Sequence, residues 1–240
     1  MPVVNLGLHG GLGNAFHEDI AKQNINEGDI VVVCHTEYLD DDTIPDPALA
    51  WITYDYNKEV FPIFRTKDYI NMLRAYPTYV KKSMLLWITG SGNEIPDIPY
   101  SRTAFNEYGD VIHRSSDSLV DDEYFENFSE SAPLINDICV DRLNVLNDYC
   151  RERGAYLVVA GYPIAMGEYS DYKEEAYIAF QENLEESLNC PVISNFTEYF
   201  FPYDYFYDTN FHLNDRGVQV RTAQLISDIK AWIEDNGIIL

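Results

Sequence analysis

Asp29-Ile30-Val31-Val32-Val33-Cys34 is the stretch on which the fold turns. A strand with one wet face alternates apolar and polar residues. An unbroken run of β-branched residues instead suits a strand covered on both faces, as in a parallel sheet. Tyr156-Leu157-Val158-Val159-Ala160 repeats the pattern, and Val192 to Ser194 reads as a shorter third example. Upstream, Val3 to Leu8 predicts another buried strand, running into a turn at Gly10, Gly11 and Gly13 and then a helix from about Asn14 to Asn24. Strands alternating with helices predict a three-layer α/β/α fold with a mostly parallel, flavodoxin-like sheet.

Between these anchors the pattern is uneven. Leu39 to Pro47 is a loop rich in Pro and Asp, and Thr66 to Thr89 predicts a helix with a break near Pro77. Gly90 to about Glu130 is irregular and reads as an insertion able to wall a pocket. Regularity resumes with a predicted helix capped by Ser131, with Pro133 in its first turn. Its apolar stripe is Ile135, Ile138, Cys139, Leu143, Leu146 and Cys150, and Gly154 ends it. A helix from about Asp171 to Leu188 follows. The last helix is expected from Asp215 to about Asp235, capped by Asn214, stapled by Leu213 and Val218, and closed near Gly237. Val218, Thr222, Leu225, Ile226, Ile229 and Ile233 form its expected buried face. At 240 residues the chain predicts a single α/β domain over 1–240, with the insertion at about 90–130.

Acids outnumber bases 40 to 16, a net charge of −24. Such a surface repels phosphate backbones and anionic lipid heads, which argues against nucleic-acid binding and against peripheral membrane binding. Cys34, Cys139, Cys150 and Cys190 form no CxxC pair, so buried free thiols are expected rather than a zinc or redox motif. The N-terminus lacks the basic and apolar regions of a signal peptide, and no apolar run approaches the roughly 18 residues of a membrane span.

Chemistry concentrates in Tyr207-Asp208-Thr209-Asn210-Phe211-His212-Leu213-Asn214. Asp208 stands one helical turn before His212, directly ahead of the last helix. A carboxylate that fixes a histidine's tautomer and stabilises its imidazolium prepares a general base for ester chemistry. In a parallel sheet the Gly10 turn, Cys34 to Tyr38, Gly161 to Ile164 and the His212 loop would all lie at the carboxyl edge, where ligands bind.

These blocks resemble the SGNH (GDSL-type) hydrolase superfamily. Its acid and histidine stand just before the C-terminal helix, and its second block is a strand leading to an oxyanion-binding glycine. Val3-Val4-Asn5-Leu6-Gly7-Leu8-His9-Gly10-Gly11 resembles that block. Together with Ile25–Val33, Tyr100–Asp110 and Phe206–Asn214, it is similar to a cell-surface branch related to teichoic-acid D-alanine transfer and polysaccharide O-acetylation proteins. The resemblance implies an acyl ester of a cell-envelope glycan, or a small-molecule ester, as substrate. It implies His212 as base, Asp208 as its acid with Asp204 the weaker alternative, and the Gly10 amide in the oxyanion hole. It also implies a cell-envelope location reached through an N-terminal anchor absent here. No cofactor is implied.

The departures are specific. No serine precedes Ser83, so the Gly-Asp-Ser block has no counterpart, and Cys34-His35-Thr36-Glu37-Tyr38 stands where Gly-x-Asn-Asp belongs. A base without a nucleophile cannot run covalent acyl transfer. The expectation is therefore a truncated chain, inactive as given, with an apolar slot where the first central strand belongs. Dimerising would fill that slot, so a homo-oligomer is among the expected partners. Ser91 is the alternative nucleophile, and a non-catalytic glycan-binding or assembly module, or a structural fragment, is the alternative function. Arg102, Asn106 and Tyr207 are candidate substrate-binding residues, set against ordinary surface pairing. The aromatic run Tyr199 to Asp208 suits a sugar cleft, with core packing beneath the last helix at least as strong a reading. His9, His17, His35, Asp208 and His212 match no metal template, and the Gly10 turn lacks the Lys-Ser/Thr of a phosphate loop.

Overall fold

The valine run forms a strand paired in parallel with Tyr156–Val159, in register from Ile30↔Tyr156 to Val33↔Val159. The computed structural model describes residues 2–39, 42–90, 105–112, 118, 132–166 and 171–238, with the backbone alone for 171 and 172. The described elements are α1 (Asn14–Asn24), β1 (Ile30–Val33), α2 (Pro47–Tyr56), α3 (Thr66–Thr89), α4 (Asp137–Glu152), β2 (Tyr156–Val159), β3 (Ile164–Ala165), α5 (Asp171–Ser187), β4 (Phe200–Phe201) and α6 (Asp215–Asp235). The result is a mixed α/β chain, mostly helical, with short parallel strand pairs. It divides into two units, Met1–Asn24 with Asp40–His113, and Ile25–Leu39 with Arg114–Leu240.

The second unit holds the sheet. Ala160 N–H donates to Val33 O at 2.9 Å, and a parallel bridge between Val159 and Val192 brings a third lane beside β2. β3 and β4 form a separate parallel pair. Leu157 and Val159 pack with Leu143 and Leu146 of α4 and with Phe180 and Leu184 of α5. Tyr156 points the other way and meets Trp232 of α6 edge-on, as the period of two along a strand requires. Asn136 caps α4, accepting from Cys139 N–H at 2.8 Å.

The first unit is helical. Phe16, Ile44, Ala50, Val60, Phe64 and Met72 make its core. Buried Asp68 accepts from Ile44 N–H at 2.8 Å and Arg65 N–H at 2.9 Å, tying the Thr43–Ile44 loop to the start of α3. Asp46 caps α2, with Pro47 in the first helical position.

Several expectations are corrected. Val3 to Leu8 forms no strand: Val3 and Val4 are 67% and 64% exposed, and Asn5 N–H donates to Tyr108 O at 2.7 Å in the short turn around the Phe105–Val111 bridge. An apolar run states that burial is affordable, not which partner supplies it. α4 begins at Asp137 under Asn136 and not at Ser131, because Ile135 is held extended by its bridge to Tyr38. α3 continues through Pro77; the carbonyl deprived of its donor belongs to the exposed Leu73, where water can serve it. α2, next to the Pro- and Asp-rich loop, went unpredicted. The inward face of α6 also differs. Thr222 and Ile226 are exposed, and Arg221 and Asp228 turn toward the unit's interior instead.

The four cysteines are free thiols. Burial pushes the Cys190 thiol from 9.0 up to about 11, and burial likewise raises Tyr162 and Tyr199 above the ordinary tyrosine range. A neutral acid with a raised folded pKa keeps its proton after the unfolded chain has lost it. Its contribution is therefore intact below pH 9 and is lost as pH climbs toward about 11. Urea midpoints at successive pH values should fall across that window, and Cys190→Ala should flatten its first part. A midpoint level to pH 11 contradicts the assignment.

Candidate acid–base site

The start of α6 organises the site. Phe206 and Leu213 form an antiparallel bridge, and Tyr207 N–H donates to His212 O at 2.7 Å. The five residues between Tyr207 and Leu213 thus close a hairpin-like loop. Asp208 and His212 face each other across it rather than along a helical turn, which corrects the expected geometry. Thr209 Oγ1 ties the loop internally by accepting from Phe211 N–H at 3.3 Å and His212 N–H at 3.1 Å.

Asp208 Oδ1 lies 2.8 Å from His212 Nδ1. The imidazole side chain is 48% exposed and the carboxylate 22%. A carboxylate on Nδ1 fixes that nitrogen as the N–H and makes Nε2 the basic position. Asp204, the alternative acid, is engaged by Arg216 at 2.9 Å, and that guanidinium lies over the Tyr205 ring.

Asn214 holds the loop to the helix. It is 1% exposed; its Oδ1 accepts from Gly217 N–H at 3.0 Å, and its Nδ2 donates to Asp204 O at 2.7 Å. Its backbone N–H donates to Tyr205 O at 2.9 Å. The N-cap therefore fixes both the helix end and the loop stem. The preceding aromatic run is mainly core: Tyr199, Phe201 and Phe206 are buried with Ala165.

The other candidates, Tyr207 apart, belong to other segments of the chain. Gly10 belongs to the first unit, at the exposed start of a 3₁₀ turn, Gly10–Leu12, and a methyl group there would meet nothing within 4 Å. Asn106, also in the first unit, spends its Oδ1 on Tyr108 and Asp110 N–H, both at 2.9 Å, as the organiser of a turn. Tyr207 sits on the stem of the Asp208–His212 loop, where its carbonyl accepts from Ser118 Oγ at 3.4 Å. Ser91 and Arg102 lie outside the described residues.

A second polar cluster escaped the reading of the sequence. Asp228 Oδ2 accepts from Ser194 Oγ at 2.5 Å and from Tyr199 OH at 2.8 Å. Arg221 stands two turns earlier on α6 beside Cys34, which directly follows β1, and its Nε is buried without an acceptor among the described residues. Burial pushes the Cys34 thiol up, Arg221 pulls it down, and Asp228 adds to the rise. A raised thiol is a poor nucleophile. Ser194 is buried and commits its proton to a carboxylate, so it does not replace the missing serine. The available signal was two charged residues at seven-residue spacing within an otherwise apolar helix face.

Compared with protein-family models, with curated proteins and with solved structures, the chain matches none.

Proposed function

We propose that the second unit carries the acid–base half of an SGNH-type ester site, directed at acyl esters of cell-envelope glycans. The observation that carries this reading is the 2.8 Å contact between Asp208 and His212 Nδ1 immediately before a capped helix. In this reading His212 Nε2 is the position that would take a proton from a hydroxyl nucleophile, were one present, and Asp208 the group that would stabilise the resulting imidazolium. The chain offers no serine in the position such a site requires, so it recognises the ester and does not turn it over.

The finer fold belonging to this reading is a three-layer sandwich whose flavodoxin-like sheet lacks its first central strand. Two features support it. Among the described residues β1 pairs along one edge, with β2, and no described strand lies along its other edge. The two faces of β2 also meet different helices.

The test pairs activity with binding. p-Nitrophenyl acetate should be hydrolysed no faster than by an equal concentration of His212→Ala, and a fluorophosphonate should leave the chain unlabelled. By calorimetry, an O-acetylated oligosaccharide should bind more tightly than its deacetylated form, and His212→Ala should erase the difference. Binding indifferent to both the acyl group and His212 sinks the ester reading in favour of a plain glycan-binding module. Robust hydrolysis lost in His212→Ala sinks the inactive one.

A further inference from the structure

The last turns of α3 are out of character with the rest of the chain. Every residue from Lys81 to Gly90 is exposed. Within that stretch Met84, Leu85, Leu86, Trp87 and Ile88 are consecutive, with Trp87 82% exposed. Successive helical side chains are about 100° apart, so five in a row clothe the helix on all sides with apolar surface. The anchoring of α3 lies earlier: Trp51 of α2 stacks on Tyr79 and bonds Met72 O at 2.7 Å, and buried packing ends near Val80.

Charge follows the same division. From Tyr69 to Thr89 the charged residues are Arg74, Lys81 and Lys82, with no acid, in a chain of net charge −24. None of the three forms an ion pair among the described residues. Screening confines electrostatic influence to about 8–10 Å at physiological salt, so the lysines on the tip itself weigh more in what it meets than the net charge of the whole chain.

We infer that the end of α3, from Lys81 to Ile88, is an insertion tip for the surface of an anionic lipid bilayer. A protein groove accepts one stripe of a helix; a helix apolar on every side asks for an apolar medium around it. The six steps from Lys82 to Ile88 span about 9 Å, close to the depth that interfacial helices reach below the headgroups. That places Lys81 and Lys82 at the lipid phosphates and Trp87 at the boundary that its amphipathic ring favours. No described helix is long and apolar enough to cross a membrane, so the tip enters one leaflet and stops. The inference is independent of the Asp208–His212 pair.

Flotation with vesicles tests it. The protein should float with vesicles of equal phosphatidylglycerol and phosphatidylcholine, and not with phosphatidylcholine alone. Leu85→Glu with Ile88→Glu changes only exposed positions, so circular dichroism should be unaltered while flotation falls at least tenfold. Lys81→Glu or Lys82→Glu should each weaken it about fivefold. In a Trp51→Phe, Trp232→Phe variant, Trp87 emission should shift to the blue on adding anionic vesicles. Absence of flotation at low salt, or flotation unchanged by the paired glutamates, overturns the proposal. So does Trp87 already shielded from acrylamide without vesicles in a light-scattering dimer, which assigns the tip to a second copy.

Discussion

Asp228→Ala is expected to lower the unfolding free energy by about 3 kcal/mol, an effect set by what the aspartate leaves behind. Ser194 Oγ and Tyr199 OH both donate to its Oδ2, at 2.5 and 2.8 Å, and both residues are buried. A hydrogen bond to a charged acceptor contributes about 1.5–3 kcal/mol, and a buried hydroxyl stripped of its partner adds a desolvation cost. The two hydroxyls lie 3.3 Å apart and can bond each other, which recovers part of the loss. Asp228→Asn keeps an acceptor at the same point without its charge and should cost about half as much. Tyr199→Phe in the Asp228→Ala background should then cost less than Tyr199→Phe in the parent, because the bond to the carboxylate is already gone and only the Ser194–Tyr199 contact is left to lose. Urea denaturation of the parent, both Asp228 variants, Tyr199→Phe and the double variant measures the cycle. An Asp228→Ala loss under 1 kcal/mol would mean that water supports the hydroxyls and the cluster is superficial.

That cluster also marks where reading the sequence stops working. Counting apolar residues along the last helix selects Thr222 and Ile226 as buried, and the structure exposes both. The true inward face includes Arg221 and Asp228, whose burial depends on partners from distant segments, Cys34 and Ser194 with Tyr199. No local pattern announces such partners. Caps, by contrast, are local devices: Asn214 and the Asp215–Asp235 span were legible because a side chain within three residues of the helix start decides them. The valine run identified a parallel strand for the same reason, since its β-branched composition admits few alternatives. Val3 to Leu8 carries the same kind of signal and forms no strand, so composition proposes a strand that only pairing can make. Asp208 and His212 were legible as a pair, while the hairpin that joins them depends on Phe206 meeting Leu213, a cross-loop contact that helical spacing obscures.

Gly217→Ala should dismantle the acid–base loop while leaving the sheet standing. In the first turns of an exposed helix this change ordinarily stabilises by up to about 1 kcal/mol, because alanine is the better helix former. Here the added methyl would sit 2.3 Å from Tyr205 O and 2.9 Å from Leu213 Cδ2. The first is backbone, held by the Asn214 N–H at 2.9 Å, so it cannot swing aside as a side chain would. Relief requires α6 to part from the Tyr205–Leu213 stem, which breaks the Asn214 bonds to Asp204 O and Gly217 N–H. Overpacking of this kind costs about 1–3 kcal/mol, and the lost cap adds about 1 more, so a net loss of about 2–3 kcal/mol is expected. The local signature should exceed the global one: amide exchange at Tyr207 and Asn214 accelerates, and the His212 Nδ1 proton held by Asp208 vanishes from the nitrogen-correlated spectrum. Gly10→Ala is the matched control, because its methyl meets nothing within 4 Å, and it should stay within about 0.5 kcal/mol of the parent. If Gly217→Ala instead leaves the His212 proton in place, the loop is not seated against the helix at this glycine. The 2.8 Å contact between Asp208 and His212 would then owe its geometry to something other than the α6 cap.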